Sequence, residues 1–516
     1  MKTQKTKNHL YKIIFSYKTL GFIFLMFQIS FFVSGAFWLQ EYAKYFYGVS
    51  TVLSLFGVIY VLNRDVNNSF KISWIILFAL FPIMGILLSF LIHSNSMSKR
   101  QWIKLDNSVK KTYKYYKQNS EVANRIKVDE PELFSCSNYL NKIGGFSTYA
   151  CEKAEYFDSG EAFFEELIKQ LSKANKYIFI ESYIVSKGYF YDKVISILRK
   201  KAKEGVIIKF IYDGIGTIAQ FDKEDITYLR NEGIDCRVFE PLKPFLSSSQ
   251  NNRDHRKIFV IDGTTAFTGG VNIADEYINK INRFGHWKDS AIMIKGASVV
   301  SFTAMFLQLW DMMDPNDSDY NEFFIVEHKQ PELHDGYIIP YCDNPIDNEP
   351  IGKNVYLQII NTANNYVHIM TPYLILDDDM LSSLKLAAKR GVDVKIIMPG
   401  IPDKWYAYLL AKTFYPELIS SGVRIYEYTP GFVHSKIMVS DGIKAVVGTI
   451  NLDFRSLYHH YECAAFLYKS SVIKDISSDC EQTLKKCTKI FIEDYKRLSV
   501  ITRGIGRILR ILAPLM

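Results

Sequence analysis

Two short stretches of this chain place the same three side chains at the same spacing. These are His255, Lys257 and Asp262 in HRKIFVID, and His434, Lys436 and Asp441 in HSKIMVSD. A glycine and an asparagine follow each: Gly270 and Asn272 after the first, Gly448 and Asn451 after the second. Both stretches read as strands, where alternate side chains share a face, so each His and the Lys two positions on point the same way. Two imidazoles and two ammonium groups gathered in one cleft suit phosphodiester chemistry. A phosphoryl group in transfer needs an in-line nucleophile, a proton for the departing oxygen and positive charge on its equatorial oxygens. One imidazole can attack while the other carries the proton. The lysines supply charge that a metal supplies elsewhere, and Asn272 and Asn451 add amide donors. No His, Cys and Asp cluster stands at ligand spacing, so neither metal nor cofactor is expected. Asp262 and Asp441 fall at strand ends, where the expectation is that they brace the motif rather than react.

The elements that must position these groups come in two copies. After about residue 125 short apolar strands alternate with amphipathic helical stretches, the pattern of an α/β fold. YIFIESYIV (177–185) matches YVHIMTPYLI (366–375), and AKEGVIIKFIYDG (202–214) matches AKRGVDVKIIMPG (388–400). GIDCRVFEP (233–241) matches GVRIYEYTP (422–430), and the histidine stretches at 255–275 and 434–453 complete the series in the same order. Four ordered matches at an offset of 179–189 residues mean a duplicated domain, not a solenoid. The reading is two mixed sheets flanked by helices, residues 131–325 and 326–516, facing one shared active site, with the divide in the polar run DPNDSDYNE.

The first hundred residues are of another kind. Segments 20–39, 46–62 and 72–92 carry no charge, and about 20 apolar residues cross a hydrocarbon core. Residues 1–98 therefore read as an anchor of transmembrane helices, with Trp38, Tyr42, Tyr45 and Tyr47 as an interface belt and 99–130 as a basic juxtamembrane linker. Both flanks of this region are rich in lysine, so charge does not decide whether two or three segments span. A net charge of +8 agrees with an anionic partner without requiring one. Seven cysteines without a CxxC pair argue against zinc and against a disulfide framework. At the C-terminal end Ile501, Ile505, Ile508 and Leu512 share one helical face and Arg503, Arg507 and Arg510 another, as in a helix lying on an anionic membrane or packing on its own domain.

The doubled H-x-K-x4-D, each copy followed by a Gly and an Asn, resembles the phospholipase D superfamily. The hydrophobic segment ahead of a doubled body, the runs GGVNIADEYINK, HWKD and GTINLDFRS, and nearly the whole chain from about residue 46 resemble bacterial cardiolipin synthases. That resemblance implies two halves closing on one site and a phosphohistidine intermediate. It gives His255 as nucleophile, His434 as acid and base, and Lys257, Lys436, Asn272 and Asn451 on the phosphate. It places Asp289 and Glu462 as the carboxylates that orient the imidazoles. His460 departs from it, standing where related sequences often have Asn. The implied reaction joins two phosphatidylglycerol molecules into cardiolipin and glycerol at the bacterial plasma membrane. Hydrolytic phospholipase D or a membrane-bound phosphodiesterase or nuclease would use the same residues. No dense basic and aromatic groove suggests nucleic acid.

Overall fold

The computed structural model describes residues 43–515 apart from 83, 87–88, 90–95, 218–220, 222, 242–250, 315–319 and 325–334, together with positions 26 and 30. The chain divides into two compact units, 1–100 with 242–252 and 508–516, and 101–241 with 253–507.

In the first unit, helices Ala43–Leu62 and Asn68–Leu80 pack through Val61, Trp74 and Phe78. Gly57 permits this approach, because a Cβ there would lie 2.5 Å from the Phe78 ring. The Asn67 side chain caps the second helix by accepting the Ser69 N–H at 2.9 Å. The expected span 72–92 is not one continuous helix. It stops at Leu80, and helical geometry resumes at Pro82, a residue with no N–H to donate and a preference for the first helical position. Apart from positions 26 and 30, segment 20–39 lies outside the described residues. Among the described residues no helix is long and apolar enough to cross a membrane, which departs from the expected set of three spans.

The second unit contains two mixed sheets of matching order. The first runs Lys153–Phe157, Ala291–Lys295, Thr265–Gly269, Ile258–Ile261, Tyr177–Ser182, Ile207–Asp213, Asp235–Phe239, with its last three strands parallel. The second runs Tyr337–Asp343, His460–Tyr468, Lys444–Gly448, Ile437–Ser440, Tyr366–Met370, Asp393–Pro399, Arg424–Tyr428, with Tyr149–Ala150 added at one edge and Cys487–Ile490 at the other. Amphipathic helices Gly160–Ser172 and Tyr189–Lys203 cover the first sheet with Phe163, Leu167, Leu171, Phe190, Val194 and Leu198. The helix Val299–Met313 is buried on nearly every side because it touches strands of both sheets.

Residues 131–150, expected within the first domain, lie on the second sheet. The Tyr337–Asp343 strand would otherwise leave its edge unpaired, and Tyr149–Ala150 pairs with it. Helix Pro131–Gly144 buries Leu133, Cys136 and Leu140 nearby, and the Tyr139 hydroxyl donates to Glu349 at 2.6 Å. The stretch expected as a linker forms helices Ser96–Tyr116 and Ser120–Asp129.

Candidate active site

Each histidine is delivered by a strand that crosses to the other half. Arg253–Asp254, just ahead of His255, pairs in parallel with His460–Tyr461, just ahead of Glu462. Gly431–Val433, just ahead of His434, pairs in parallel with His286–Lys288, just ahead of Asp289. The exchange is locked by His255 N–H to the Tyr461 carbonyl at 2.9 Å and His434 N–H to the Lys288 carbonyl at 2.7 Å. The carboxylates therefore act across the repeat. His255 Nδ1 lies 2.9 and 3.0 Å from the two oxygens of Glu462, and His434 Nδ1 lies 2.8 Å from Asp289 Oδ2. A carboxylate can only accept, so in both rings the proton sits on Nδ1 and the lone pair on Nε2.

His255–Lys257 and His434–Lys436 lead into their strands rather than lying within them, yet the alternation holds. Lys257 Nζ donates to the His255 carbonyl at 2.6 Å and Lys436 Nζ to the His434 carbonyl at 2.5 Å. Arg256, between the first pair, turns the other way into a buried ion pair with Glu181 at 2.6 Å. The counterpart of Arg256 is a buried Ser435. Both histidines are 7% exposed and both lysines 1%.

That burial sets the protonation of the site. It pushes His255 well below the usual imidazole range, aided by Lys257, Lys436 and His434. It brings His434 down to about 4, with Lys436 adding to the effect and Asp289 opposing it. The same burial lowers Lys257 to about 8 and Lys436 to about 7, although Glu462 and Asp289 respectively pull them up. Burial alone would raise Asp289, but His434, Lys436 and the Ser290 N–H together hold it below the usual carboxylate range. Both imidazoles are thus neutral before substrate arrives. An anionic phosphate between the lysines would raise all four groups, charging the ammoniums and making one imidazole able to hold a proton.

The asparagines differ. Asn272 Oδ1 accepts the Ile184 N–H at 3.0 Å while its Nδ2 donates to the Tyr277 hydroxyl at 2.8 Å; Asn451 Oδ1 is buried with no hydrogen-bond partner. Asp262 and Asp441 are not with the histidines. Each sits at the far end of its strand in the left-handed region, at φ 54° and 57°. Asp262 accepts the N–H groups of Asn175, Lys176 and Tyr177 at 2.7–3.0 Å, and Asp441 those of Asn364, Asn365 and Tyr366 at 2.8 Å. Each clamps the entry to the first of its sheet's parallel strands.

Sequence reasoning missed the walls. Tyr183 stands edge-on to His255 at 5.0 Å, and Tyr277, Trp287 and Phe432 surround His434 at 5.3, 5.3 and 5.9 Å. It also missed Thr449, whose hydroxyl donates to Glu462. The aligned runs GGVN and GTIN put Gly270 at the matching place, where a Cβ would lie 2.0 Å from Asp289 Oδ1. The glycine leaves room for one carboxylate, and the threonine bonds the other. His255, His460 and Glu462 place ligand atoms within 4.8 Å of one another, a group able to hold a metal ion. The seven cysteines are free.

A duplicated α/β body with two cross-braced His–Lys pairs defines a two-motif phosphodiester-transfer fold. Residues 167–310 and 356–484 match the family model described as "Cardiolipin synthase, PLD-like domain", together more than half of the chain, and the protein belongs to that family. A cardiolipin synthase of Geobacillus sp. (strain WCH70) is 32% identical over 99% of this chain and 100% of its own length. One of Clostridium perfringens (strain ATCC 13124) is 34% identical over 86% of this chain and 94% of its own. An uncharacterized protein of Streptococcus mutans is 44% identical over 89% of this chain and 99% of its own. Among solved structures, phosphatidylserine synthase of Haemophilus influenzae Rd KW20 superposes with TM-score 0.54 at 13% identity, covering 74% of this chain and 98% of that one, a likeness of fold.

Proposed function

We propose that the protein is a cardiolipin synthase, transferring a phosphatidyl group from one phosphatidylglycerol to another with release of glycerol. The observation that carries the reading is the pair of neutral, carboxylate-braced imidazoles beside two buried lysines. His255 Nε2 attacks phosphorus, and the P–O bond to glycerol breaks as His434, which takes a proton on Nε2 once the anionic phosphate is bound, gives that proton to the departing oxygen. The primary hydroxyl of the second phosphatidylglycerol then loses its proton to His434 and displaces His255, forming cardiolipin. Lys257 and Lys436 hold the equatorial oxygens with Asn272 and Asn451, while Glu462 and Asp289 keep each ring's proton on Nδ1. Burial of both rings disfavours water as the acceptor.

The apolar segments 20–39, 46–62 and 72–92 would act as a multi-pass anchor in the plasma membrane, and the basic helix Val500–Leu512 would lie on anionic lipid. The two phospholipase D-like domains would be 131–325 and 326–516, with the first also lending residues 131–150 to the second sheet. The test is incubation with phosphatidylglycerol alone and identification of the lipids formed. Cardiolipin with matching free glycerol supports the reading. Phosphatidic acid as the sole lipid product would replace it with a hydrolytic phospholipase D.

A further inference from the structure

The half of the site around His255 holds a group that the transfer reaction does not use. His460 is buried, its Nδ1 lies 3.6 Å from Glu462 Oε1, and neither of its ring nitrogens has a hydrogen-bond partner. Buried imidazoles ordinarily bond through at least one nitrogen, and each exception calls for an explanation. A ligand atom from each of His255, His460 and Glu462 lies within 4.8 Å of the others. An ion held tetrahedrally at about 2.0–2.2 Å from such ligands spaces them by roughly 3.3–3.5 Å. The observed separations from Glu462, 2.9 Å to His255 and 3.6 Å to His460, bracket that value. Among the described residues the other half offers no such set, and the rings around His434 include those of Tyr277, Trp287 and Phe432.

We propose that His255, His460 and Glu462 form an inhibitory site for a borderline-soft divalent cation such as zinc. Two imidazole nitrogens and one carboxylate oxygen suit zinc, whereas magnesium and calcium take oxygen shells. Lys257 and Lys436 stand close by and repel any cation, so only an ion with strong affinity for nitrogen enters. In the free site the His255 ring proton is on Nδ1 and the lone pair on Nε2. Zinc bound at Nδ1 uses a lone pair there, so the ring proton moves to Nε2. The atom that must attack phosphorus then has no lone pair to give, and no P–N bond forms. The inhibition rests on His255 being the nucleophile; the binding does not.

Transfer by the full chain, assayed at buffered free zinc, should fall at micromolar zinc, recover with EDTA and ignore millimolar magnesium or calcium. His460→Asn should work without zinc much as the natural chain does, yet need at least about tenfold more zinc for the same inhibition. Separately, cobalt(II) serves as a spectroscopic probe. Its visible absorption should show nitrogen-bound, low-coordinate metal in the natural chain and lose it in His460→Asn and Glu462→Gln. An unchanged zinc response in His460→Asn, or a cobalt spectrum indifferent to both substitutions, overturns the site. If transfer itself fails, the cobalt titration still tests the site alone.

Discussion

The two halves repeat one strand order and one motif, yet they surround their histidines differently. His255 meets both oxygens of Glu462, which also receives the Thr449 hydroxyl, and has Tyr183 and His460 as neighbours. His434 meets one oxygen of Asp289 inside a wall of Tyr277, Trp287 and Phe432. Duplication fixed where the two imidazoles stand, and the walls around them have diverged. On the proposed mechanism the ring held across both oxygens of its carboxylate is the one that attacks phosphorus. A ring boxed by aromatic faces is shielded from water and suited to passing a proton between two alcohols.

The largest effects should come from the histidines. His255→Ala and His434→Ala should each cut turnover by ~10⁴ or more, because nucleophile and acid work as a unit. Their difference shows with an activated aryl phosphatidyl donor, whose leaving group needs no proton. His434→Asn should then accumulate a phosphoryl adduct on His255, while His255→Asn forms none. Peptide mass spectrometry after a quench at neutral or alkaline pH reads this out. An adduct on His434 would reverse the two roles.

Next come the carboxylates, which test whether the halves depend on each other. Glu462→Gln and Asp289→Asn should each lower turnover by roughly 10²–10⁴, since the wrong tautomer becomes available to the ring. Glu462→Gln, though in the second half, should impair adduct formation on His255. Asp289→Asn, in the first, should mimic His434→Asn. Effects confined to the histidine of the same half would break the crossed arrangement.

Smaller still, Asp262→Asn and Asp441→Asn should lower stability by about 1–3 kcal/mol through lost hydrogen bonds to backbone amides. Turnover per folded molecule should stay close to normal. A collapse of turnover with an unchanged melting temperature would place these aspartates in the chemistry.

The finest distinction is His460, which stands beside His255. Burial lowers its pKa to about 3, against 6.5 when unfolded. The unfolded chain therefore takes up this proton first, and stability present above pH 6.5 is lost as pH falls towards 3. His460→Asn should lose less melting temperature between pH 7 and pH 5 than the natural chain does. An equal or steeper loss would mean that His460 is protonated in the folded state.

Much of this arrangement was readable before any coordinates. The doubled spacing of His255, Lys257, His434 and Lys436 pointed to one chemistry, and the four ordered matches pointed to two like sheets. Asp289 and Glu462 were reachable through resemblance alone, since nothing in HWKDS or HHYECAAF says which histidine each serves. Only the parallel pairing of Arg253–Asp254 with His460–Tyr461, and of Gly431–Val433 with His286–Lys288, decides that, and short non-local pairings leave no periodic signal. Residues 131–150 misled for a similar reason. Their apolar helix announces that it must be covered, but not by which sheet. Segment 72–92 misleads because its uncharged length hides the break in the helix just ahead of Pro82.

The crossed strands also bear on how the enzyme is made. Glu462 follows His255 by 207 residues and Asp289 precedes His434 by 145. At translation rates of about 5–20 residues per second, roughly 10–40 seconds separate the emergence of His255 from that of its carboxylate. Throughout that interval His255 lacks the carboxylate that orients its ring. A product truncated anywhere before Glu462 lacks that carboxylate as well. The exchange thus makes the orientation of the His255 imidazole depend on synthesis of the second half.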